Sequence, residues 1–278
     1  MPAQPPPLPD GDGDGARFRK ERREAPAGFF RCEAAGLDWL GDAYRPGVPG
    51  GRSGPRVVRV RGVDEDHLDL ERLAATAPTR AAAARFGQDL AALHDAGAPA
   101  WGCPPPGWSG DAFFGPLDDP LPLLTGAWDS WATFWAEARL RPVAAQGSER
   151  GALSRADADA LGRLADRAAR WDTGEPPARV HGDLWSGNVM WTGADVEAVL
   201  IDPAAHGGHR EADLAMLALF GAPHLDATLA AYDAARPLAP GWRRRVVVHQ
   251  VYPVAVHAVL FGGGYLAQLR RMADALLA

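Results

Sequence analysis

Apolar residues recur at two spacings along the chain, and each spacing predicts a type of element. Residues 16–24 (ARFRKERRE) alternate as in a short strand, with Phe18 and Lys20 on the same face. Residues 25–43 (APAGFFRCEAAGLDWLGDA) repeat apolar positions at near-helical spacing, which predicts a helix. Residues 56–73 (RVVRVRGVDEDHLDLERL) predict a hairpin. The first part of the chain is therefore predicted to be small and to contain a β-sheet.

Helical spacing dominates the rest of the chain. A helix over 78–97 is expected to end at Gly97, because glycine commonly follows the last helical turn. Further helices are predicted over about 128–146, over about 154–171 and from Glu211 onward. Strand patterns on either side of residues 181–188, and in 196–202, place a β-hairpin within this helical part. The expected fold class is α+β.

The most apolar stretch is residues 246–266 (VVVHQVYPVAVHAVLFGGGYL). It contains His249, Gln250, Pro253 and His257, polar or helix-distorting residues that are costly in hydrocarbon. We therefore predict a buried core helix with a polar stripe rather than a membrane span.

Composition excludes several classes of function. A net charge of −6 and a pI near 5.7 give no electrostatic footprint for nucleic acid. The two cysteines, Cys32 and Cys103, provide no disulfide framework, which favours a reducing compartment. The N-terminal residues lack the basic and apolar regions of a secretory signal. The expectation is a cytoplasmic protein with neither a nucleic-acid nor a membrane partner.

The basic residues are almost all arginine. The chain has 28 arginines and a single lysine, Lys20. A compact ammonium group differs from a planar guanidinium, so a lone lysine can mark a position where arginine does not serve. Chance explains the same observation equally well, and composition alone leaves both explanations open.

Polar residues are concentrated in residues 179–191 (RVHGDLWSGNVMW), between two apolar flanks. Asp183 and Asn188 lie five residues apart in the predicted turn, and Asp202 ends the next strand, VLID. Two strands joined by a tight connection would bring Asn188 and Asp202 together. A carboxylate and an amide carbonyl form a partial shell for Mg²⁺, which prefers oxygen ligands. Asp183 is then free to accept a proton from a substrate hydroxyl.

Together these positions have the layout of a phosphoryl-transfer site. Lys20 would contact the phosphates of a nucleotide, and Glu33, on the following helix, would hold the ammonium in place. The backbone hinge to adenine is expected where the last strand before the first long helix ends, at Glu71, Arg72 and Leu73. Singly, an Asp or Asn in a turn usually caps backbone groups, and a Lys–Glu pair is usually a surface feature. The order and spacing of five residues together favour the phosphoryl-transfer hypothesis: Lys20, Glu33, Asp183, Asn188 and Asp202.

Longer strings carry a family resemblance. HGDLWSGN, followed by IDPAAHGGHREADLAM (201–216), resembles the fructosamine kinase (ketosamine 3-kinase) family, which belongs with the aminoglycoside phosphotransferases in the protein-kinase-like fold. FRK…EAAGL, LDLERL and WATFWAEARL are also similar to members of this family. The resemblance covers roughly residues 16–270. It implies ATP- and Mg²⁺-dependent phosphorylation of the 3-hydroxyl of a ketosamine, whose phosphorylated form then falls apart, so that the family acts in deglycation.

The resemblance also assigns roles to residues. Asp183 would be the catalytic base, Asn188 and Asp202 the metal ligands, and Lys20 with Glu33 the phosphate anchor. Trp185 would line the sugar site, and His209 would either contact substrate or be structural. His181 and Asp213 would support the turn. The implied organisation is a disordered Pro/Gly/Asp-rich leader (1–15), a small nucleotide-binding lobe (16–73) and a helical catalytic and substrate lobe (74–278), with a monomer favoured.

The chain departs from the family pattern at its N-terminus. Family members carry two more strands and a glycine-containing turn before the lysine strand, whereas about fifteen residues precede Phe18 here. Two explanations are open: a missing nucleotide lid or a true start upstream of Met1. Two rival functions also stay open, namely phosphorylation of another small molecule, such as an aminoglycoside or a choline-like alcohol, and a catalytically weak pseudokinase that binds a glycated ligand.

Overall fold

The computed structural model describes residues 17–44 and 53–278. The expected leader over residues 1–15 lies outside them. The predicted first strand is confirmed as β1 (Arg17–Glu21), which pairs antiparallel with β4 (His67–Glu71), while β3 (Val60–Val63) lies on the other side of β4. Helix α1 (Phe29–Gly41) packs on this sheet, because its apolar positions, Phe30 among them, all fall on one face.

The prediction of one hairpin over 56–73 is wrong for its first residues. Strand β2 (Arg56–Val57) instead pairs in parallel with β9 (Glu197–Leu200), next to β8 (Val189–Thr192). Val57 and Val58 are both buried. In a hairpin with one face exposed to solvent, consecutive side chains point to opposite faces, so one of the two valines would be exposed. The Val58 N–H donates to the Leu200 carbonyl at 3.0 Å. The first lobe is thereby joined to the hairpin that follows turn 181–188.

The predicted helix over 78–97 is confirmed as α2 (Arg80–Asp95). The Thr79 hydroxyl caps its N-terminus by accepting from the Ala82 N–H at 3.1 Å, and Gly97 follows its end with a φ of +71°.

The helix predicted near 128–146 comprises α3 (Trp131–Trp135), a π-helical turn (Ala136–Leu140) and α4 (Arg141–Glu149). The one near 154–171 is α5 (Arg155–Asp166) with a 3₁₀ turn (Ala168–Arg170). The remaining elements are β5 (Ala112–Phe114), β6 (Leu121–Leu123), β7 (Ala178–Val180), β10 (His206–Gly208), α6 (Arg210–Phe220), α7 (Leu225–Ala235), α8 (Trp242–Phe261) and α9 (Gly264–Leu277).

The apolar stretch near the C-terminus forms α8, a core helix as predicted. Val248, Val251 and Val254 are fully buried among the other helices. Within the two described segments, no helix combines the length and the apolar character needed to cross a bilayer.

Two hydrophobic cores meet along the middle of the molecule. One unites the β1–β4–β3 sheet, α1, α2 and the β8–β9 hairpin, and the other unites α3 to α5 with α8 and α9. Leu184 belongs to the first core and Ala204 to the second. The polar turn 181–188 and the end of β9 therefore lie where the cores meet, on a scaffold anchored from both sides.

Candidate active site

The HGD turn (residues 181–188) connects β7 to β8, and its shape depends on glycine at one point. Gly182 has a φ of +83°, a region that L side chains rarely adopt. A Cβ there would lie 2.1 Å from the Ala204 carbonyl oxygen, which is fixed backbone. Val180 and Leu184, on either side, are fully buried. The turn is therefore held tightly against the chain that follows Asp202.

A group of buried side chains holds the HGD turn from below, and we name His94, His181, Asp213 and Tyr232 the turn support. The Asp213 carboxylate accepts from the backbone N–H groups of His181 at 2.8 Å and Gly182 at 3.0 Å. It also lies 3.1 Å from Nε2 of His94, whose Nδ1 is 2.7 Å from the Tyr232 hydroxyl. A carboxylate that opens a helix and accepts two turn N–H groups fixes the turn in one conformation.

His181 links the turn to the segment that carries Asp202. Its Nε2 donates to the Ile201 carbonyl at 2.9 Å, and its Nδ1 accepts from the Asp183 N–H at 3.3 Å. The ring is fully buried, and burial lowers the pKa of His181. A neutral imidazole has one donor and one acceptor nitrogen, which matches both bonds.

Asp183 is oriented by Asn188. The Asn188 amide nitrogen donates to the Asp183 carboxylate at 3.1 Å and to its carbonyl at 2.8 Å, and it lies 3.4 Å from the Asp202 carbonyl. Burial raises the pKa of Asp183 to about 7 and outweighs the Asn188 hydrogen bond, which lowers it, while Asp202 and Asp213 raise it further. A carboxyl group with a pKa near neutrality is suited to exchange a proton with a substrate hydroxyl.

Lys20 projects from β1 toward the same place. Its ammonium nitrogen lies 2.8 Å from Glu33 and 3.3 Å from Asp202. Burial alone would lower the pKa of Lys20, but these two carboxylates outweigh it and raise the pKa, so that the group keeps its charge. Burial and the nearby Asp202 raise the pKa of Glu33, whose Oε1 has no hydrogen-bond partner among the described residues. We name Lys20, Glu33, Asp183 and Asp202 the cleft charges.

The donor atoms near Asp202 fit a hard divalent cation. The Asp202 side chain is 43% exposed and stands at a residue with a φ of +51°, just after β9. The Asn188 amide nitrogen is engaged with the turn, which leaves its Oδ1 as the ligand atom. A carboxylate and an amide oxygen of two residues that line the same cleft suit Mg²⁺, which binds through few protein oxygens and keeps water or phosphate as its other ligands.

The cleft charges line one end of a cleft of about 540 Å³. Trp185 lines it too, 39% exposed, and packs edge-to-face on Phe220 with ring centroids 6.1 Å apart. A Cβ at Gly187 would lie 2.2 Å from the Trp185 ring, so this glycine leaves room for the indole to lie over the turn.

The residues expected at the hinge to adenine, Glu71, Arg72 and Leu73, are not among the described residues that line this cleft. Glu71 ends β4, where it binds the Arg56 guanidinium at 2.6 Å and accepts from the Arg59 N–H at 3.0 Å. Arg72 is exposed, and Leu73 packs partly against the first core. Their predicted contact with adenine stays a prediction.

His209 also lies apart from the cleft charges. It is 3% exposed, its Nδ1 accepts from the Glu211 N–H at 3.1 Å, and its ring packs on Trp131 and His249. It borders a separate cavity of about 50 Å³ behind Gly182. This placement makes His209 a cap of α6, and its predicted contact with substrate stays a prediction.

His209, Glu211 and His249 form a second group with the composition of a metal site, since their ligand atoms lie within 4.8 Å of one another. The Arg245 guanidinium, however, binds both carboxylate oxygens of Glu211, at 2.5 and 2.9 Å. Arg245 therefore already supplies the positive charge that pairs with the Glu211 carboxylate, in the place that a metal ion would take.

Sequence reasoning missed several residues of the site. His94 and Tyr232 lie 119 or more residues from the groups they support, and nothing in their local sequence marks them. The missed cleft residues include four rings, Phe220, His257, Phe261 and Tyr265. The one available signal was a run of three glycines, 262–264, directly after the aromatic end of the apolar stretch.

Fold and site together define the class of protein. A choline kinase of Streptococcus pneumoniae has a similar structure, with a TM-score of 0.56 at 13% identity over 94% of this chain and 85% of the other. The chain has the protein-kinase-like fold, and a lysine–glutamate pair, a half-buried aspartate and an Asn/Asp oxygen pair meet at one cleft, the residue types of a kinase-type phosphotransferase. The predicted α+β fold class is confirmed.

The chain belongs to the fructosamine kinase family, whose model matches residues 11–278. A protein of Synechocystis sp. assigned as a probable ketoamine kinase is 34% identical over 94% of this chain and 83% of its own length. A crystal structure from Thermobifida fusca assigned as a fructosamine-3-kinase superposes with a TM-score of 0.81 at 45% identity, covering 94% of this chain and 85% of the other. The resemblance stated from the sequence is confirmed, and membership implies a kinase that uses ATP.

Proposed function

We propose that this protein transfers the γ-phosphoryl group of ATP to the 3-hydroxyl of a ketosamine, the adduct of a sugar and an amine. The family and the curated relatives support a ketosamine kinase. One structural observation carries the proposal furthest: the single lysine of the chain lies between Glu33 and Asp202, at the end of the cleft that also holds Asp183. We further propose that the protein acts in the cytoplasm as a monomer.

The cleft charges divide the work of the reaction. Lys20 binds the nucleotide phosphates, and Glu33 fixes its ammonium. The substrate 3-hydroxyl oxygen attacks the γ-phosphorus, the bond from that phosphorus to the β–γ bridging oxygen breaks, and ADP leaves. The hydroxyl proton passes to the Asp183 carboxylate, which Asn188 holds in place. Because phosphoryl transfer needs little covalent catalysis by the protein, positioning of the substrates and neutralisation of charge supply most of the rate acceleration.

Asn188 and Asp202 would hold Mg²⁺ through their free oxygens. When bound, the ion neutralises charge on the transferring phosphates. The backbone of Glu71, Arg72 and Leu73 would contact adenine, and Trp185 would cover the sugar. His209 would act on substrate only through the turn, since it is buried behind Gly182.

Deglycation follows from the chemistry of the product. A 3-phosphate is one carbon away from the ketone at C2 of the sugar. Enolisation toward C1 lets the electron pair of the broken C–H bond expel phosphate from C3. Water then hydrolyses the resulting C1–nitrogen double bond and releases the free amine.

ADP release in the presence of Mg·ATP tests the proposal, with fructose–lysine and ribulose–lysine adducts as substrates. We expect turnover by the wild type and a loss of about 10²- to 10⁴-fold in Asp183→Asn, the range for a missing general base. Asp38→Asn is the matched control, since Asp38 is an exposed carboxylate on α1. Phosphorus NMR should place the new ester on the 3-hydroxyl.

Other outcomes would overturn the proposal. Turnover of choline or an aminoglycoside, with none of a ketosamine, would move the protein to another substrate class. Binding of ketosamines without ADP release would indicate a pseudokinase. Equal activity of Asp183→Asn and Asp38→Asn would remove Asp183 from the reaction.

A further inference from the structure

The cleft has a second surface, of which the proposed reaction uses only Trp185. Among the described residues, the large apolar side chains with more than a third of their surface exposed are Val63, Trp185, Phe220 and Phe261, and all but Val63 line this cleft. Exposed apolar side chains that cluster, rather than scatter, mark a binding surface. With His257 and Tyr265 between them, they form what we call the aromatic wall: Trp185, Phe220, His257, Phe261 and Tyr265.

The rings of the aromatic wall are in continuous contact. Trp185 packs on Phe220 at 6.1 Å, and Phe220 packs on His257 at 5.2 Å between ring centroids. His257 then contacts Phe261 at 5.5 Å and Tyr265 at 4.9 Å. The wall therefore starts at the HGD turn and leads away from the cleft charges toward solvent, where Phe261 is 57% exposed.

The corner between α8 and α9 builds the far end of the wall. Gly262 and Gly263 have φ values of +62° and +55°, with extended ψ angles that are open essentially to glycine alone. This corner folds the start of α9 back, so that Tyr265 reaches Phe261 with ring centroids 6.3 Å apart. Phe220 comes from the last residue of α6, and the wall thus joins three helix ends.

The aromatic wall offers no charge. Among the described residues that line the cleft, Lys20 is the single lysine or arginine, and Glu33 and Asp202 already hold it. His257 donates through Nδ1 to the Pro253 carbonyl at 2.7 Å, which leaves Nε2 as an acceptor. Burial lowers the pKa of His257 and keeps the ring neutral.

We propose that the aromatic wall is the subsite for the amine part of the ketosamine, and that it selects apolar or aromatic substituents that carry no carboxylate beside the nitrogen. This inference rests on the proposed function. The sugar hydroxyl must meet Asp183, so the nitrogen lies further along the cleft, beyond Trp185. A substrate ammonium is attracted to aromatic faces and can donate to Nε2 of His257. A carboxylate there would face ring electrons, and the one lysine of the cleft lining is already held by Glu33 and Asp202 and cannot pair with it.

Three ketosamines of one sugar test the inference, made from methylamine, phenethylamine and phenylalanine. The phenethylamine and phenylalanine adducts differ in a single carboxylate, and methylamine is too short to reach the wall. In the wild type we expect kcat/KM to be highest for the phenethylamine adduct and lowest for the phenylalanine adduct. Phe261→Ser should reduce the preference for phenethylamine over methylamine about tenfold, through KM, as expected for the loss of one ring contact.

Val63→Ser is the matched control, because Val63 is an exposed apolar residue on β3 that is not among the residues lining the cleft. We expect it to keep the wild-type preference. Tyr265→Ser provides a second variant, with the same expected direction as Phe261→Ser. Thermal unfolding of each variant shows whether it is folded.

The outcomes separate this inference from the proposed function. An unchanged preference in folded Phe261→Ser and Tyr265→Ser, or a wild type that favours the phenylalanine adduct, overturns the inference and leaves the kinase in place. A Phe261→Ser variant with a changed oligomeric state in solution and an unchanged preference among the three adducts would make the wall a contact between copies of the chain. This result would also overturn the inference. If no ketosamine is phosphorylated, the proposed function fails. Calorimetric binding of the phenethylamine adduct to wild type and Phe261→Ser then decides the inference, and equal affinities overturn it.

Discussion

The turn support and the cleft charges lie on opposite sides of the HGD turn, and they differ in how completely their polar atoms are paired. In the turn support, Asp213 and His181 make short hydrogen bonds, and no side-chain nitrogen or oxygen of this group is left without a partner among the described residues. In the cleft charges, Glu33 has an unpaired buried oxygen, and Asp202 is 43% exposed.

The difference separates rigidity from reactivity. A fully paired buried network fixes one conformation, because breaking any member leaves an unpaired polar group in a poorly solvated place. Unpaired charges at the cleft are ready to bind other charges, such as phosphates and a divalent cation. The pKa of Asp183, raised to about 7, belongs to this second side even though its backbone is held by the first. The molecule thus holds the groups that we propose to react on a frame of fully paired side chains.

Removal of Asp213 should give the largest effect. Asp213→Ala takes away the acceptor of two turn N–H groups and the partner of His94, and both His94 and His181 are buried. We expect the free energy of unfolding to fall by about 3–5 kcal/mol, the range for a broken buried charged pair. Urea denaturation measures this change. Asp213→Asn, which keeps one acceptor oxygen, should lose less.

Asp166→Ala is the control, because Asp166 binds Arg141 on the surface with 65% of its side chain exposed. Its loss should stay within about 1 kcal/mol, as is typical of surface pairs. If Asp213→Ala and Asp166→Ala unfold alike, Asp213 does not hold the turn and the comparison fails.

The reactive side was easier to predict from the sequence than the rigid side. Asp183, Asn188 and Asp202 lie on one short hairpin, so local spacing predicts their proximity, and the structure brings them together. Lys20 and Glu33 lie on adjacent elements, and the same reasoning paired them.

The rest depends on contacts between distant parts of the chain. His94 meets Asp213 across 119 residues, and β2 joins β9 rather than its neighbour β3. A histidine in a helix and two consecutive valines are compatible with many partners, because burial patterns identify a face and not what covers it. The aromatic wall beyond Trp185 was missed for the same reason, since its other rings come from three separate helices.

Replacing the lysine should separate activity from stability. Lys20→Met removes the charge that would contact phosphate, and we expect kcat/KM to fall about 10²- to 10³-fold, as when one preorganised electrostatic group is lost. Stability should change by less than about 1.5 kcal/mol, because Glu33, whose pKa burial already raises, can take up a proton when its partner is gone. Steady-state kinetics and urea denaturation measure the two effects.

Lys20→Arg is the matched variant, since it keeps the charge but replaces a compact ammonium with a planar fork. We expect it to stay well below wild-type activity, which would also explain why the single lysine of an arginine-rich chain lies at this position. A Lys20→Met protein as unstable as Asp213→Ala would show that the cleft charges also hold the fold, and the two sides would not differ as argued.

The core beside the turn support should be sensitive to acid through His206, which pairs with Val180 just before the HGD turn. Burial, with the nearby Arg139, lowers the pKa of His206 to about 3, whereas an unfolded histidine titrates near 6.5. Between about pH 3 and pH 6.5, His206 is therefore protonated in the unfolded state and neutral in the folded state. This contribution to stability is complete above about pH 6.5 and is lost as the pH falls toward 3, by about 2 kcal/mol at pH 5.

His206→Asn should reduce that dependence, because an asparagine amide can still donate to the Ala204 carbonyl, as Nδ1 of His206 does at 2.8 Å, but cannot take up a proton. The measurement is the free energy of unfolding at pH 7.5 and pH 5 for wild type and variant. His224→Asn is the control, since His224 is exposed and has a φ of +53°, which asparagine accommodates. Equal losses between the two pH values in His206→Asn and in wild type would mean that the core beside the turn admits a charged histidine. The core beside the turn support would then owe its stability to packing rather than to the exclusion of charge from His206.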